Sequence, residues 1–273
     1  MQKKAFAAII FTLLASLSGA CANKTEPVPA TVTPTAAPAL IAIYSGKGTW
    51  EDSITAAGKM LEWMGYRVEH VDAASVNAGG LDRFAAILVP GGDMYQYAQD
   101  ISPAGMENIL EFVANGHGYI GICGGAYFAS RNVIWQGNQL PMRSLGLFPG
   151  TAQGPLDRIK PYPDYAMTEL RITGPANPIT AGIADPWMLY YWGPALIPDD
   201  GSDVSVLATS ATGEEAMMAA LEYEQGRVFL VATHPEIEED DPRDGTGAAD
   251  ELDDQGSDWD LMKQAVRWVL EGK

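Results

Sequence analysis

A cysteine between glycines, in the run GYIGICGGAYFAS from Gly118 to Ser130, is the residue of this chain whose neighbours best suit covalent chemistry. The run changes from strand-like to helix-like spacing at Cys123 itself. A nucleophile on such a sharp turn is held out from the sheet edge, and only small flanking residues fit beside the crowded backbone. The positive end of the following helix then lies beside the sulfur, and the amide of Gly124 faces the place where a carbonyl oxygen would gain negative charge. A second donor for that oxyanion is expected from Gly91 or Gly92, in the run VPGGD.

A sulfur nucleophile needs a base that carries its proton to the leaving group, and the chain has only His70, His117 and His234. His234 closes the strand-like run RVFLVAT, and Glu236, two residues on, can hold its imidazole in one tautomer. His117 sits in an NGHG turn at the far end of the cysteine's strand and His70 ends a charged strand, so both read as surface residues. The plain alternative for a lone cysteine is a buried, inert thiol.

The elements that must position these groups begin with four strand-like runs, LIAIYS, YRVEHVD, FAAILVPGGD and GYIGIC. A helix follows the first run, with Ile54, Ala57, Leu61 and Met64 at helical spacing and Gly65 as its stop. Another precedes GYIGIC, with Ser102 as cap, Pro103 at its first position, Met106, Ile109, Leu110 and Val113 inward, and Asn115-Gly116 at its end. Alternation of strands and helices predicts a mainly parallel sheet covered on both faces, with ligands beyond the carboxyl ends of the strands. PGGD and Cys123 both fall at such ends. From Asn132 to about Pro198 the pattern weakens into short strands and long loops. EAMMAALEYE and GRVFLVATHPE then pair through a Gln225-Gly226 turn, and a last helix starts at a Ser257 cap with Leu261, Ala265 and Trp268 on one face.

Residues 1–22 read as an export signal: Lys3 and Lys4, the apolar AFAAIIFTLLASL, then small residues for cleavage. LSGAC resembles a bacterial lipobox with Ser18 where leucine is usual, so Cys21 is expected to carry lipid; cleavage after Ala22 is the alternative. Either way Cys123 is left as the only free thiol. Residues 23–39, rich in Pro, Thr and Ala, read as an extended tether and 40–273 as one folded domain. The expected location is outside the cytoplasm, in the cell envelope or periplasm, with the membrane met only through the anchor at Cys21. A formal charge of −18 over 273 residues argues against nucleic acid and anionic membrane surfaces as partners.

The acidic run Asp240–Glu251 has the spacing of a calcium loop, but Pro242 occupies a position that needs a side-chain oxygen. The run is therefore expected to be a solvated loop that does not bind calcium; its position just after His234-Pro235-Glu236 gives the alternative that it borders the pocket entrance. Asp93, Tyr95 and Tyr127, near the strand ends, are expected to face the substrate.

PGGD, GICGG and THPE, in that order, resemble the class I glutamine amidotransferase-like fold, in which a cysteine on an elbow works with a His-x-Glu motif. YIGICGGAYFAS, NPITAGI, YYWGP and the terminal helix are similar to the biotin-protein ligase amino-terminal domain family, over roughly Leu40 to Lys273. The resemblance implies a flavodoxin-like three-layer α/β fold and catalytic roles for Cys123, His234 and Glu236. It also places MLYYWGP near the cysteine, with Tyr191 and Trp192 lining the substrate pocket. The Gly/Arg-rich adenylate loop of a biotin ligase has no counterpart here, so biotin transfer is not implied. What remains is hydrolysis of an amide or related acyl bond, on a small-molecule or peptide substrate, without a cofactor. The alternatives are a non-catalytic binding module of the cell envelope on the same fold, and an envelope partner protein acting through its acidic surface.

Overall fold

A computed structural model describes residues 37–271 other than 175, 240 and 253–255. The export signal, the lipidation at Cys21 and the tether as far as residue 36 lie outside the described residues. The first half alternates β1 (Leu40–Tyr44), α1 (Glu51–Trp63), β2 (Arg67–Val71), α2 (Ala73–Asn77), β3 (Ala86–Val89), α3 (Met94–Asp100), α4 (Pro103–Ala114), β4 (Gly118–Ile122) and α5 (Gly124–Ala129). Strands dominate the rest: β5 (Ser130–Trp135), β6 (Asn138–Gln139), β7 (Phe148–Gly154), β8 (Ala166–Ile172), β9 (Trp187–Tyr190), β10 (Ala195–Pro198), β11 (Ser205–Ser210), β12 (Ala216–Tyr223) and β13 (Gly226–Val231), before α6 (Trp259–Leu270).

A nine-stranded sheet in the order β2-β1-β3-β4-β13-β12-β11-β8-β9 forms the middle layer. Its first five strands are parallel, and the remaining four continue it antiparallel. Strand side chains alternate between the two faces, which explains why the central runs are apolar throughout. Ala42, Tyr119, Val228 and Leu230 pack under α3, α4 and α5 on one face. Ile41, Ile43, Ile120, Ile122 and Phe229 pack under α1 and α6 on the other. The weakly patterned middle section is short strands joined by long loops, as expected, and its strands build a second sheet, β10-β7-β5-β6, that the pattern did not reveal.

Several local expectations shift. The buried stripe of α1 is Ser53, Ala56, Ala57, Met60 and Leu61, turned from the expected one so that Ile54 and Met64 are only half-buried. Small residues on the inner face let the helix lie close to the sheet, and Ser53 enters the site described below. In α4 the Ser102 hydroxyl accepts from the Gly105 N–H at 3.1 Å, as its sequence predicts. Ser257 lies one residue outside the cap position of α6, its hydroxyl accepting from the Trp259 N–H at 3.1 Å, and Trp268 is only half-buried. Tyr223 pairs with Gly226, so the hairpin turn is Glu224-Gln225, with φ 52° at Glu224, one residue earlier than expected.

The acidic run keeps Asp241, Asp250 and Glu251 exposed, as expected, but is pinned to the protein at Asp244 and Ala249. Asp244 is buried, its carboxylate accepting from the backbone N–H groups of Glu238 and Thr246 and from the Thr246 hydroxyl. Arg243 pairs with Glu238 and Asp241 and lies 4.4 Å above the ring of Trp259. Three of its acids are thus held by the chain itself. Among the described residues no group of three His, Cys, Asp or Glu could hold a metal ion, and Asp240, Asp253 and Asp254 lie outside those residues.

Candidate active site

β13 runs parallel beside β4 with Val231 opposite Ile122, so Cys123 and the residues after β13 leave the sheet at the same edge. The Cys123 N–H still donates to the Val231 carbonyl, at 2.9 Å, and then the chain reverses sharply into α5. Cys123 itself takes φ 46° and ψ −99°. A non-glycine residue there stores on the order of 1–3 kcal/mol, which the surrounding structure must sustain. The reversal also presses Gly124 against the PGGD turn: a Cβ at that position would lie 2.4 Å from the Gly92 carbonyl oxygen, so only glycine fits.

His234 is anchored by its N–H to the Leu189 carbonyl at 2.9 Å, and its Nδ1 meets Glu236 Oε1 at 2.9 Å. The indole of Trp50 stands edge-on to the imidazole, with ring centres 5.0 Å apart. Burial works against charge on the imidazole. The Glu236 carboxylate and then Cys123 outweigh it, and the pKa of His234 is raised to about 10. Nε2 makes no hydrogen bond of ordinary geometry, and the sulfur of Cys123 is directed to the Tyr191 carbonyl at 3.4 Å. The interaction of thiol and imidazole is therefore chiefly electrostatic in this state.

Behind this pair lies Ser53, which the apolar stripe of α1 gave no reason to single out. Its hydroxyl donates to Glu236 Oε1 at 2.6 Å and accepts from the Gly91 N–H at 3.0 Å. The Gly91 amide is therefore taken, which corrects the expectation that it serves the oxyanion. The amides of Gly92 and Gly124 donate to no group among the described residues. Ser53→Ala would leave the buried Gly91 N–H without an acceptor. It is expected to lower stability by about 1–3 kcal/mol, read as an earlier urea midpoint. An unchanged midpoint would show that this hydroxyl does not tie the PGGD turn to Glu236.

A cavity of about 660 Å³ opens over Cys123 and His234. Gly92, Asp93, Tyr95, Tyr127, Tyr191 and Trp192 all line it. The Tyr127 hydroxyl donates to the Trp192 carbonyl at 2.9 Å, and Trp192 has φ 65°. Asp93 has a second task, capping α3 by accepting from the Tyr95 N–H at 2.9 Å. Trp50, Trp135 and Tyr162 complete the aromatic wall. Their positions far apart along the chain hid them, although aromatic residues in Gly/Pro-rich segments are a usable signal. No described residue of 238–252 lines the cavity; Glu251 instead accepts from the Tyr165 hydroxyl at 2.5 Å, and Tyr165 packs edge-on against Tyr191 at 5.3 Å. The acidic segment thus braces the wall from behind and does not form the entrance.

Comparison with known proteins first defines the class. PurLQS from Thermotoga maritima is 15% identical with a TM-score of 0.56, over 85% of this chain and 99% of that one. A glutamine amidotransferase from Thermotoga maritima is 12% identical with a TM-score of 0.53, over 85% and 98%. The fold is class I glutamine amidotransferase-like. Within that class, the family described as "Biotin-protein ligase, N terminal" matches residues 39–264, and the chain belongs to it. A biotin–protein ligase from Schizosaccharomyces pombe is 28% identical over 186 residues, 63% of this chain; the chain spans only 29% of the ligase's length. The imidazole glycerol phosphate synthase subunit HisH of a Synechococcus species is 27% identical over 193 residues, 67% of this chain and 82% of that subunit. Fold and family fit a hydrolase-like or binding role.

Proposed function

We propose that this chain is a cysteine-dependent hydrolase of amide or related acyl bonds, with Cys123 as nucleophile, His234 as acid and base, and Glu236 holding the imidazole. The observation that carries the reading is the left-handed backbone of Cys123 at the edge shared with His234, a strained conformation set at the floor of a large cavity. With the proton of the thiol–imidazole pair carried on His234, the sulfur attacks as the thiolate on the substrate carbonyl carbon, and the oxygen gains negative charge facing the Gly92 and Gly124 amides. Collapse of that intermediate forms a thioester and breaks the bond to the leaving amine, which takes a proton from His234. Water then attacks the thioester, giving one proton to His234 and releasing a carboxylic acid and the sulfur, so that the thiol–imidazole pair again holds its single proton.

A second reading, a binding module without turnover, draws on the 3.4 Å contact of the Cys123 thiol with the Tyr191 carbonyl, which turns the sulfur from the base. Incubation with a panel of acyl and amide electrophiles, read by intact mass, separates the two. A stoichiometric adduct formed at neutral pH and abolished by Cys123→Ala is expected. Absence of any adduct would transfer the assignment to the binding module.

A further inference from the structure

The wall of the cavity carries an uneven set of side chains. Trp50, Tyr95, Trp135, Tyr162, Tyr191 and Trp192 line it, yet among the described residues no lysine or arginine does. Apart from His234 at the floor, the only charged side chain on the wall among the described residues is the carboxylate of Asp93. A substrate with a free carboxylate, such as an unmodified amino acid, would enter an acidic protein of net charge −18 and meet no cation on the wall, the imidazole of His234 at the floor being already paired with Glu236.

The rings are also arranged around a space. Trp135 meets Tyr162 at 85° with centres 6.1 Å apart, Tyr162 meets Trp192 at 47° and 4.6 Å, and Trp50 meets Tyr191 at 73° and 5.2 Å. The rings therefore pack on one another and form a continuous aromatic wall along the cavity. Trp192 is held in place by its left-handed backbone, φ 65°, and by its indole N–H donating to the Asp164 carbonyl at 3.2 Å. The electron-rich faces of tryptophan and tyrosine attract a weakly hydrated cation, and a carboxylate nearby adds to that attraction.

From this arrangement we propose that the cavity selects amides bearing a cationic group, above all an alkylated ammonium, seated against the aromatic wall to which Tyr162, Trp192 and Trp135 belong, with the Asp93 carboxylate on the same cavity. The binding half stands on the cavity alone; that the bound amide is also a substrate rests on the hydrolase reading.

Three anilides of similar size separate charge from shape: that of trimethylglycine (cation), that of 3,3-dimethylbutanoic acid (its uncharged isostere) and that of succinic acid (anion). Binding to the full chain carrying Cys123→Ala, followed by tryptophan fluorescence and calorimetry, is expected to favour the cation over its isostere about ten-fold. The anion is expected to bind weakest. Tyr162→Leu, at a site 47% exposed where folding is not at stake, should remove most of the preference. Asp93→Asn should reduce it, and salt should weaken cation binding in the parent. Equal or tighter binding of the isostere, tightest binding of the anion, no binding of any of the three, or a preference unchanged by Tyr162→Leu would each overturn the proposal. Aniline release by the unmutated chain is a separate readout: its absence beside selective cation binding would sink the hydrolase reading and leave the ligand class standing.

Discussion

Hydrolysis by the His234→Gln protein is expected to fall by about a thousand-fold, with substrate binding little changed, because the amide keeps the side chain's bulk and loses its proton chemistry. In the proposed mechanism the imidazole passes a proton to the leaving amine and takes one from water, and Glu236 at 2.9 Å from Nδ1 leaves Nε2 as the nitrogen for that exchange. Retention of more than about a tenth of the parent rate would remove His234 from the mechanism. The same variant reports on stability. His234 is raised in the folded chain from 6.5 to about 10, so the folded state holds its proton more tightly than the unfolded one. The contribution is fully present below about pH 6.5 and is lost as pH rises through about 10. The parent chain should therefore lose urea resistance relative to His234→Gln across that window. A parallel course of the two midpoints would show that the pair contributes nothing.

Gly91→Ala is expected to be nearly as severe by a route that touches no proton. A Cβ at this position would lie 2.4 Å from Cε1 and 3.2 Å from Nδ1 of His234, with the Ser53 hydroxyl at 3.4 Å. The imidazole must swing away or the PGGD turn must shift; overpacking of this kind costs about 1–3 kcal/mol, and a displacement near 1 Å at the reacting groups costs about a hundred-fold in rate. Gly58→Ala in α1 is the control, since its Cβ would meet only the Ile43 side chain, at 3.9 Å. That change should leave activity intact and stabilise the helix slightly. Parent-like turnover by Gly91→Ala would mean that the imidazole works from another position than the one it occupies here.

Cys123 could be singled out in the sequence because the constraint on it is local: a strand, a reversal and a helix follow one another within a dozen residues, and the glycines the crowded turn requires stand next to it. The same holds for His234 and Glu236, which share one short segment, and for the central strands, whose unbroken apolar runs follow from burial on both faces. Pairing between strands distant in sequence then brought the two segments to one edge, in the parallel register of Ile122 with Val231. Only the tertiary structure decided which of two adjacent glycines keeps its amide free, since that choice depends on Ser53, 38 residues before Gly91 and 183 before Glu236. It likewise decided that Trp50, Trp135 and Tyr162 stand around one cavity, and that the acidic run folds down behind Tyr165 and away from the entrance. Periodicity tells which side of an element is buried. What that side meets is set by packing between elements, and a hydroxyl or an aromatic ring gains its role only from the partner that packing brings to it.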